Sequence, residues 1–188
     1  MEELIEEEIN QHMGVANQLL AHCKLDMLRL AEALVETYQR GNKVLLFGNG
    51  GSAADAQHIT ADLVGRLSKD RRAFAAIALT SNTSNLTAIG NDYGFEKIYE
   101  RQVEALANKG DLLIGISTSG NSGNVIKALE KGRDMGCITA AFTGESKSQL
   151  DTVSDVVIHV PSSTVTRIQE MHILIGHILC IMLESKLA

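Results

Sequence analysis

Apolar residues recur at helical spacing through the first forty positions and then, after Gly41, collect into short unbroken runs. Leu4, Ile5, Ile9, Met13, Ala16, Leu19 and Leu20 follow the three- and four-residue steps of one helix face, which predicts a helix over 2–21. Met27, Leu30, Ala31, Leu34, Val35 and Tyr38 do the same over Asp26–Arg40, and Gly41 stops this second helix. The runs that follow are VLLF (44–47), AAIAL (75–79), LLIGIS (112–117), ITAAF (138–142) and VVIHV (156–160). Continuous apolar runs of this length suit strands buried on both faces. Helical patterns at Ser52–Leu67, Phe95–Asn108 and Gly123–Met135 fall between most of them, and a last helix covers Thr166–Ser185. The alternation predicts the α/β class, a parallel sheet covered by helices. In such sheets ligands bind beyond the carboxyl ends of the strands.

A length of 188 residues fits one domain, and 45% hydrophobic residues supply a sizeable core. The formal charge of -6 and the lack of any Lys/Arg-rich run argue against nucleic acid as a direct partner. The acidic start MEELIEEEIN has no secretory pattern. The most apolar segment, MHILIGHILCIML (171–183), is too short to span a bilayer and holds two histidines, so it reads as a buried helix and no membrane partner is expected. Cys23, Cys137 and Cys180 are scattered and form no CxxC, which fits buried reduced thiols in a cytoplasmic protein.

Two strand-to-helix turns carry candidate chemistry: GNGGS (48–52) and STSGNSGN (117–124). Glycines let backbone approach a ligand, Ser, Thr and Asn supply donors, and a following helix N-terminus adds free N–H groups. Neither turn is a dinucleotide fingerprint or a Walker motif. Ser52 and Asp55 fit a capping box, a structural role for Asp55. Ser117, Thr118, Ser119, Asn121 and Ser122 exceed what a turn needs, and the absence of Lys and Arg points to a single phosphate held by neutral donors.

His58 and Asp62 stand four apart on one helix face, and Arg66 continues the stripe. The pair suits proton transfer, a metal, or a plain surface contact. In the last helix Gln169 and His177 are eight apart, about 80° on a wheel of 3.6 residues per turn. Gly176 between them leaves space, and a Gln and a His in so apolar a helix need partners. His172 lies well round the helix from His177 and reads as a core or surface residue, His159 reads as a satisfied core histidine, and His12 and His22 sit in no constellation.

The segments GNGGSAADAQH, LTAIGNDYGFEKIYERQVEAL, KGDLLIGISTSGNSGNVIKAL and VPSSTVTRIQEMHILIGHILC resemble the sugar isomerase (SIS) domain family, and within it the phosphoheptose isomerases, nearly end to end. The resemblance implies one SIS domain over 1–188, with an oligomerisation segment at 1–41 and an α/β core at 42–188. It implies a five-stranded parallel sheet of flavodoxin-like type, and a homotetramer with active sites between subunits. It also implies conversion of D-sedoheptulose 7-phosphate to D-glycero-D-manno-heptose 7-phosphate through an enediol, for lipopolysaccharide core or capsule. By motif match the phosphate falls to Ser117, Thr118, Ser119 and Ser122. The sugar is lined by Asn49, Gly50, Gly51, Ser52, Asn91 and Asp92, with Asp62, Arg66 and Gln169 completing the substrate set. Asp62 and His177 become the catalytic pair, and one zinc per subunit falls to His58, Asp62, Gln169 and His177.

The family pattern has Glu where this chain has Asp62, a side chain shorter by one methylene, about 1.5 Å. It also has Arg-Pro where DRRAFAA (70–76) has none. A non-catalytic adaptor such as the DnaA initiator-associating protein is the competing relative. Intact GNGGS and STSGNS turns favour the enzyme.

Overall fold

In a computed structural model describing residues 1–188, the chain runs α1 (Glu2–His22), α2 (Lys24–Gln39), β1 (Val44–Gly48), α3 (Gly51–Val64), β2 (Ala76–Ala78), α4 (Thr83–Tyr93), α5 (Glu100–Leu106), β3 (Leu112–Ile116), α6 (Gly123–Asp134), β4 (Ile138–Thr143), α7 (Leu150–Val153), β5 (Val156–His159) and α8 (Val165–Leu187). All five apolar runs are strands. They pair in parallel in the order β2-β1-β3-β4-β5, the flavodoxin-like arrangement.

Every residue of β1 and β3 is buried. Successive side chains point to opposite faces, so an unbroken apolar run needs helices on both. Val44 and Leu46 with Leu112, Ile114 and Ile116 face one core, built with α1, α2, α3 and α8. Leu45, Phe47 and Leu113 face the other, built with α5 and α6. Strand order reverses between β1 and β3, and the two turns of interest leave these adjacent strands, paired as far as Gly48↔Ile116.

Helix α8 is long and apolar enough by length and composition to cross a membrane, but half of its most apolar window is buried and it packs on α1, α2 and α3. It is a core helix. All three cysteines are free and buried.

Three expectations need correction. The helix expected over Phe95–Asn108 is a short 3-10 turn, Phe95–Lys97, followed by α5. Helix α4 was not expected; Asn82 caps it, its side chain accepting from the Asn85 N–H. The Ser52–Asp55 capping box does not form. Gly50, at φ 57, is the N-cap, and α3 has no side-chain cap. Ser52 is instead buried, and one Asp55 oxygen is buried without a partner, so loss of water raises the Asp55 carboxyl to about 6, against the lowering effect of His58.

Candidate active site

Helices α3 and α8 cross because Gly176 has no side chain. A Cβ there would lie 2.5 Å from Ile59 Cδ1, so Ile59 fills the space that Gly176 leaves, and that space is not open to ligand. The contact brings His58 of α3 to His177 of α8, with Nε2 atoms 3.3 Å apart. Asp62 Oδ2 lies 3.7 Å from His177 Nε2 and 3.9 Å from His58 Nε2.

The Asp62 side chain is only 12% exposed, and its Oδ2 is buried without a hydrogen-bond partner. A carboxylate oxygen left so is costly unless a proton or cation meets it. Ligands on a tetrahedral zinc at about 2.0–2.1 Å stand about 3.3–3.4 Å from one another. The two histidine nitrogens already have that separation, and the Asp62 oxygen is a few tenths of an ångström further off. The donor set and the orphaned oxygen fit a metal of the zinc kind.

Gln169, two turns earlier on α8, lies against the GNGGS turn. A Cβ on Gly51 would sit 2.7 Å from Gln169 Nε2, so the amide keeps this position only beside a glycine. Gln169 thus stands on the same helix as His177 and over the turn.

The GNGGS turn is held from below and beside. The Tyr99 hydroxyl donates to Gly48 O. The Asn49 amide exchanges two 2.9 Å hydrogen bonds with Asn124 at the start of α6. Asn49 was expected to line the sugar; one N–H and one oxygen lone pair of its carboxamide go to Asn124, which leaves the other N–H and lone pair free. In the serine loop, Ser117 Oγ lies 2.9 Å from Ser122 Oγ, and Ser119 Oγ accepts from the Asn121 N–H. A cavity of about 310 Å³ beside the loop is lined by Thr118, Ser119, Asn121, Ser146, Ser162 and Ser163, among others. Ser146, Ser162 and Ser163 were missed from sequence, although Ser162 and Ser163 lie in the quoted VPSSTVT.

Three expected residues stand apart from this group. Arg66 does not continue the His58–Asp62 stripe, because α3 ends at Val64; Arg66 is exposed beyond it. Asn91 and Asp92 are exposed on α4 and bond each other. The arginine at the end of α3 is Arg71. Its guanidinium donates to Asp62 O, Leu63 O and Gly65 O, satisfying helix-terminal carbonyls, and stacks 4.2 Å over the Phe74 ring. It also donates to Glu184 of α8 at 3.1 Å, with both side chains buried. Burial alone would raise Glu184, but the Ser68 hydroxyl and the Leu67, Ser68 and Lys69 N–H groups lower it to about 2.

Three other histidines lie away from the cluster. His172 is buried, lies 3.3 Å from Thr143 O and is lowered to about 4 by loss of water, against the raising effect of that contact. His159 is satisfied rather than a core residue: it bonds Gly144 O and Asp151 and is partly exposed. His12 pairs with Glu170 at 2.7 Å, a contact the sequence did not suggest.

A family model described as SIS domain matches residues 9–144. A phosphoheptose isomerase of Aliarcobacter butzleri is 49% identical over 188 residues, the whole of both chains. Among solved structures, a phosphoheptose isomerase from Neisseria gonorrhoeae superposes with a TM-score of 0.93 at 38% identity, covering 98% of each chain. One from Francisella tularensis gives 0.94 at 35% identity, covering 97% of each.

Proposed function

The chain belongs to the SIS domain family and, within it, to the phosphoheptose isomerases, and from that premise we propose that Asp62 and His177 move its protons while the serine loop holds the substrate phosphate. The reaction is the aldose–ketose isomerisation of D-sedoheptulose 7-phosphate to D-glycero-D-manno-heptose 7-phosphate, a step of heptose biosynthesis. The adaptor alternative is not favoured: the relatives are enzymes by name, and the carboxylate sits at the cluster.

Ketose becomes aldose when the C1–H bond breaks and its electron pair forms the C1=C2 enediol. The C2=O pair moves onto O2, which takes a proton. O1 then gives up its proton, and C2 gains one. Asp62 takes the C1 proton and returns it at C2, and His177 shuttles the proton between O1 and O2. The observation that carries this reading is Asp62 Oδ2, buried and unpartnered between two imidazoles.

His58, Asp62, Gln169 and His177 would hold one zinc per subunit, which would stabilise negative charge on the enediolate oxygens. Ser117, Thr118, Ser119 and Ser122 hold the phosphate with neutral hydroxyls at the N-terminus of α6. Gly50 and Gly51 face the sugar through backbone, with Asn49 oriented by Asn124; Ser52, expected beside them, is buried with its N–H on Asn49 O. We further propose a homotetramer with sites at subunit interfaces. Leu4, Ile5, Ile9 and Met13 leave an exposed apolar stripe on α1 that a second copy would cover. Exposed Asn91 and Asp92 would then serve a neighbouring copy's site. A cytoplasmic setting and a product used for lipopolysaccharide core or capsule belong to the same reading.

The test is an NMR assay of purified protein with sedoheptulose 7-phosphate. Aldoheptose 7-phosphate should accumulate. An inert mixture would overturn the assignment.

A further inference from the structure

The two turns at the switch point of the sheet are joined by a single pair of side chains. Below them, the β1–β3 ladder ends at Gly48↔Ile116. Beyond it, Asn49 Nδ2 donates to Asn124 Oδ1 and Asn124 Nδ2 donates to Asn49 Oδ1, each at 2.9 Å. This reciprocal amide pair is one more rung, made of side chains. No other side-chain hydrogen bond links 48–52 to 117–124.

Asn124 is 3% exposed, so its polar atoms have no water to turn to, and the pair satisfies them. It lies in the first turn of α6, two residues after Ser122. Asn49 directly precedes Gly50 and Gly51, and Gly51 abuts Gln169 of α8. One end of the rung is therefore fixed to the serine loop and the other to the start of α3, the helix that carries His58 and Asp62.

We propose that Asn124 is a positioning residue for the isomerisation: through Asn49 it sets the gap between the phosphate anchor and the groups that move the C1–C2 proton. The proposal rests on the reading that phosphate binds the serine loop and chemistry occurs at the cluster. A sugar phosphate tethered at one end and reacting at the other needs that gap held, because a shift of about 1 Å can cost on the order of a hundredfold in rate. A loosened rung leaves the serine hydroxyls and the His–Asp cluster each intact and misplaces one against the other.

The test is a double-mutant cycle of Asn49→Ala, Asn124→Ala and the double variant, with kcat and KM for sedoheptulose 7-phosphate. Inhibition by inorganic phosphate reports the anchor by itself. Asn124→Ala should lower kcat at least about tenfold while the phosphate inhibition constant stays within about twofold. The double variant should be no slower than the slower single one, because either change breaks the same rung. A kcat for Asn124→Ala within about twofold of wild type, or losses that multiply in the double variant, would overturn the proposal. Should Asn124→Ala fail to fold, Asn49→Ala, in a turn rather than a helix, decides by the same kcat criterion. Failure of phosphate to compete in wild type would instead overturn the phosphate assignment, a result separate from either of these.

Discussion

Gly176 of α8 and Ile59 of α3 share one contact, in which the absent Cβ of the glycine would stand 2.5 Å from Ile59 Cδ1. The residues next to them in sequence, His177 and His58, meet at 3.3 Å because of it. Gly176→Ala should push the helices apart. Overpacking of this kind costs about 1–3 kcal/mol. Zinc affinity should fall together with the thermal midpoint. Thermal melting with and without zinc checks both, and unchanged zinc binding would show that the helix crossing does not set the cluster.

His58→Ala should weaken zinc binding, and the His58/His177 double variant should abolish it. Elemental analysis of protein loaded with zinc and then desalted measures this. Equal retention by wild type and double variant would remove the site.

Ser119→Ala and Ser122→Ala should mainly raise KM, since each removes a hydrogen bond to a phosphate that stays bound throughout the reaction. About 0.5–1.5 kcal/mol per bond corresponds to roughly two- to tenfold. Ser122 has the larger expected effect, because its loss also releases Ser117 Oγ, 2.9 Å away. A large kcat loss at constant KM would show that the phosphate binds elsewhere.

Glu184 should make the fold acid-sensitive in a defined window. Its folded value of about 2 lies below the usual 4.5, so the stability it contributes is complete above about pH 4.5 and is lost as pH falls toward about 2. Glu184→Gln removes that dependence. It also leaves the buried Arg71 without its carboxylate, at a cost of about 3–5 kcal/mol near neutral pH. Chemical denaturation from pH 2 to 7 tests both. A variant whose stability parallels wild type across that range would show that the pair is not coupled to folding.

How far the sequence revealed these features follows from the physics of each. The strands were legible because burial on both faces leaves unbroken apolar runs, and α8 because Gln169 and His177 share a side of an apolar helix. Helix α4 was not, since none of its residues is fully buried and its apolar side is short, with only Leu86 and Ile89 packed on the core. The capping box failed because Gly50, free to take positive φ, starts the helix two residues before Ser52 and leaves that serine in the interior. Arg71 and Glu184, and likewise Asn49 and Asn124, are far apart in the chain and carry no periodic signal; only the fold pairs them. Arg66 was favoured by extending an i, i+4 stripe past the end of its helix, where the geometry that justified it stops.

Asp62 is the sharpest test of the mechanism. Asp62→Asn keeps size and polarity and removes basicity, so isomerisation should fall at least about a hundredfold. Substrate should still bind, because the serine loop is untouched. The sign of Asp62→Glu follows from the cluster's geometry. Asp62 Oδ2 is 3.7 and 3.9 Å from the two histidine nitrogens, which are themselves 3.3 Å apart. The shortfall of about half an ångström is well under the roughly 1.5 Å that one methylene adds. Arg71 fixes the backbone at this point by its 2.7 Å bond to Asp62 O, so the main chain does not retreat to make room. Glu at 62 overreaches by about 1 Å, and activity should fall about ten- to a hundredfold. A rise in activity would show that the carboxylate of the native chain stands too far back, and that Arg71 holds α3 less firmly than its hydrogen bonds imply. Wild-type rates in both variants would take Asp62 out of the chemistry and leave Asp92, offered by a neighbouring copy, as the carboxylate to test next.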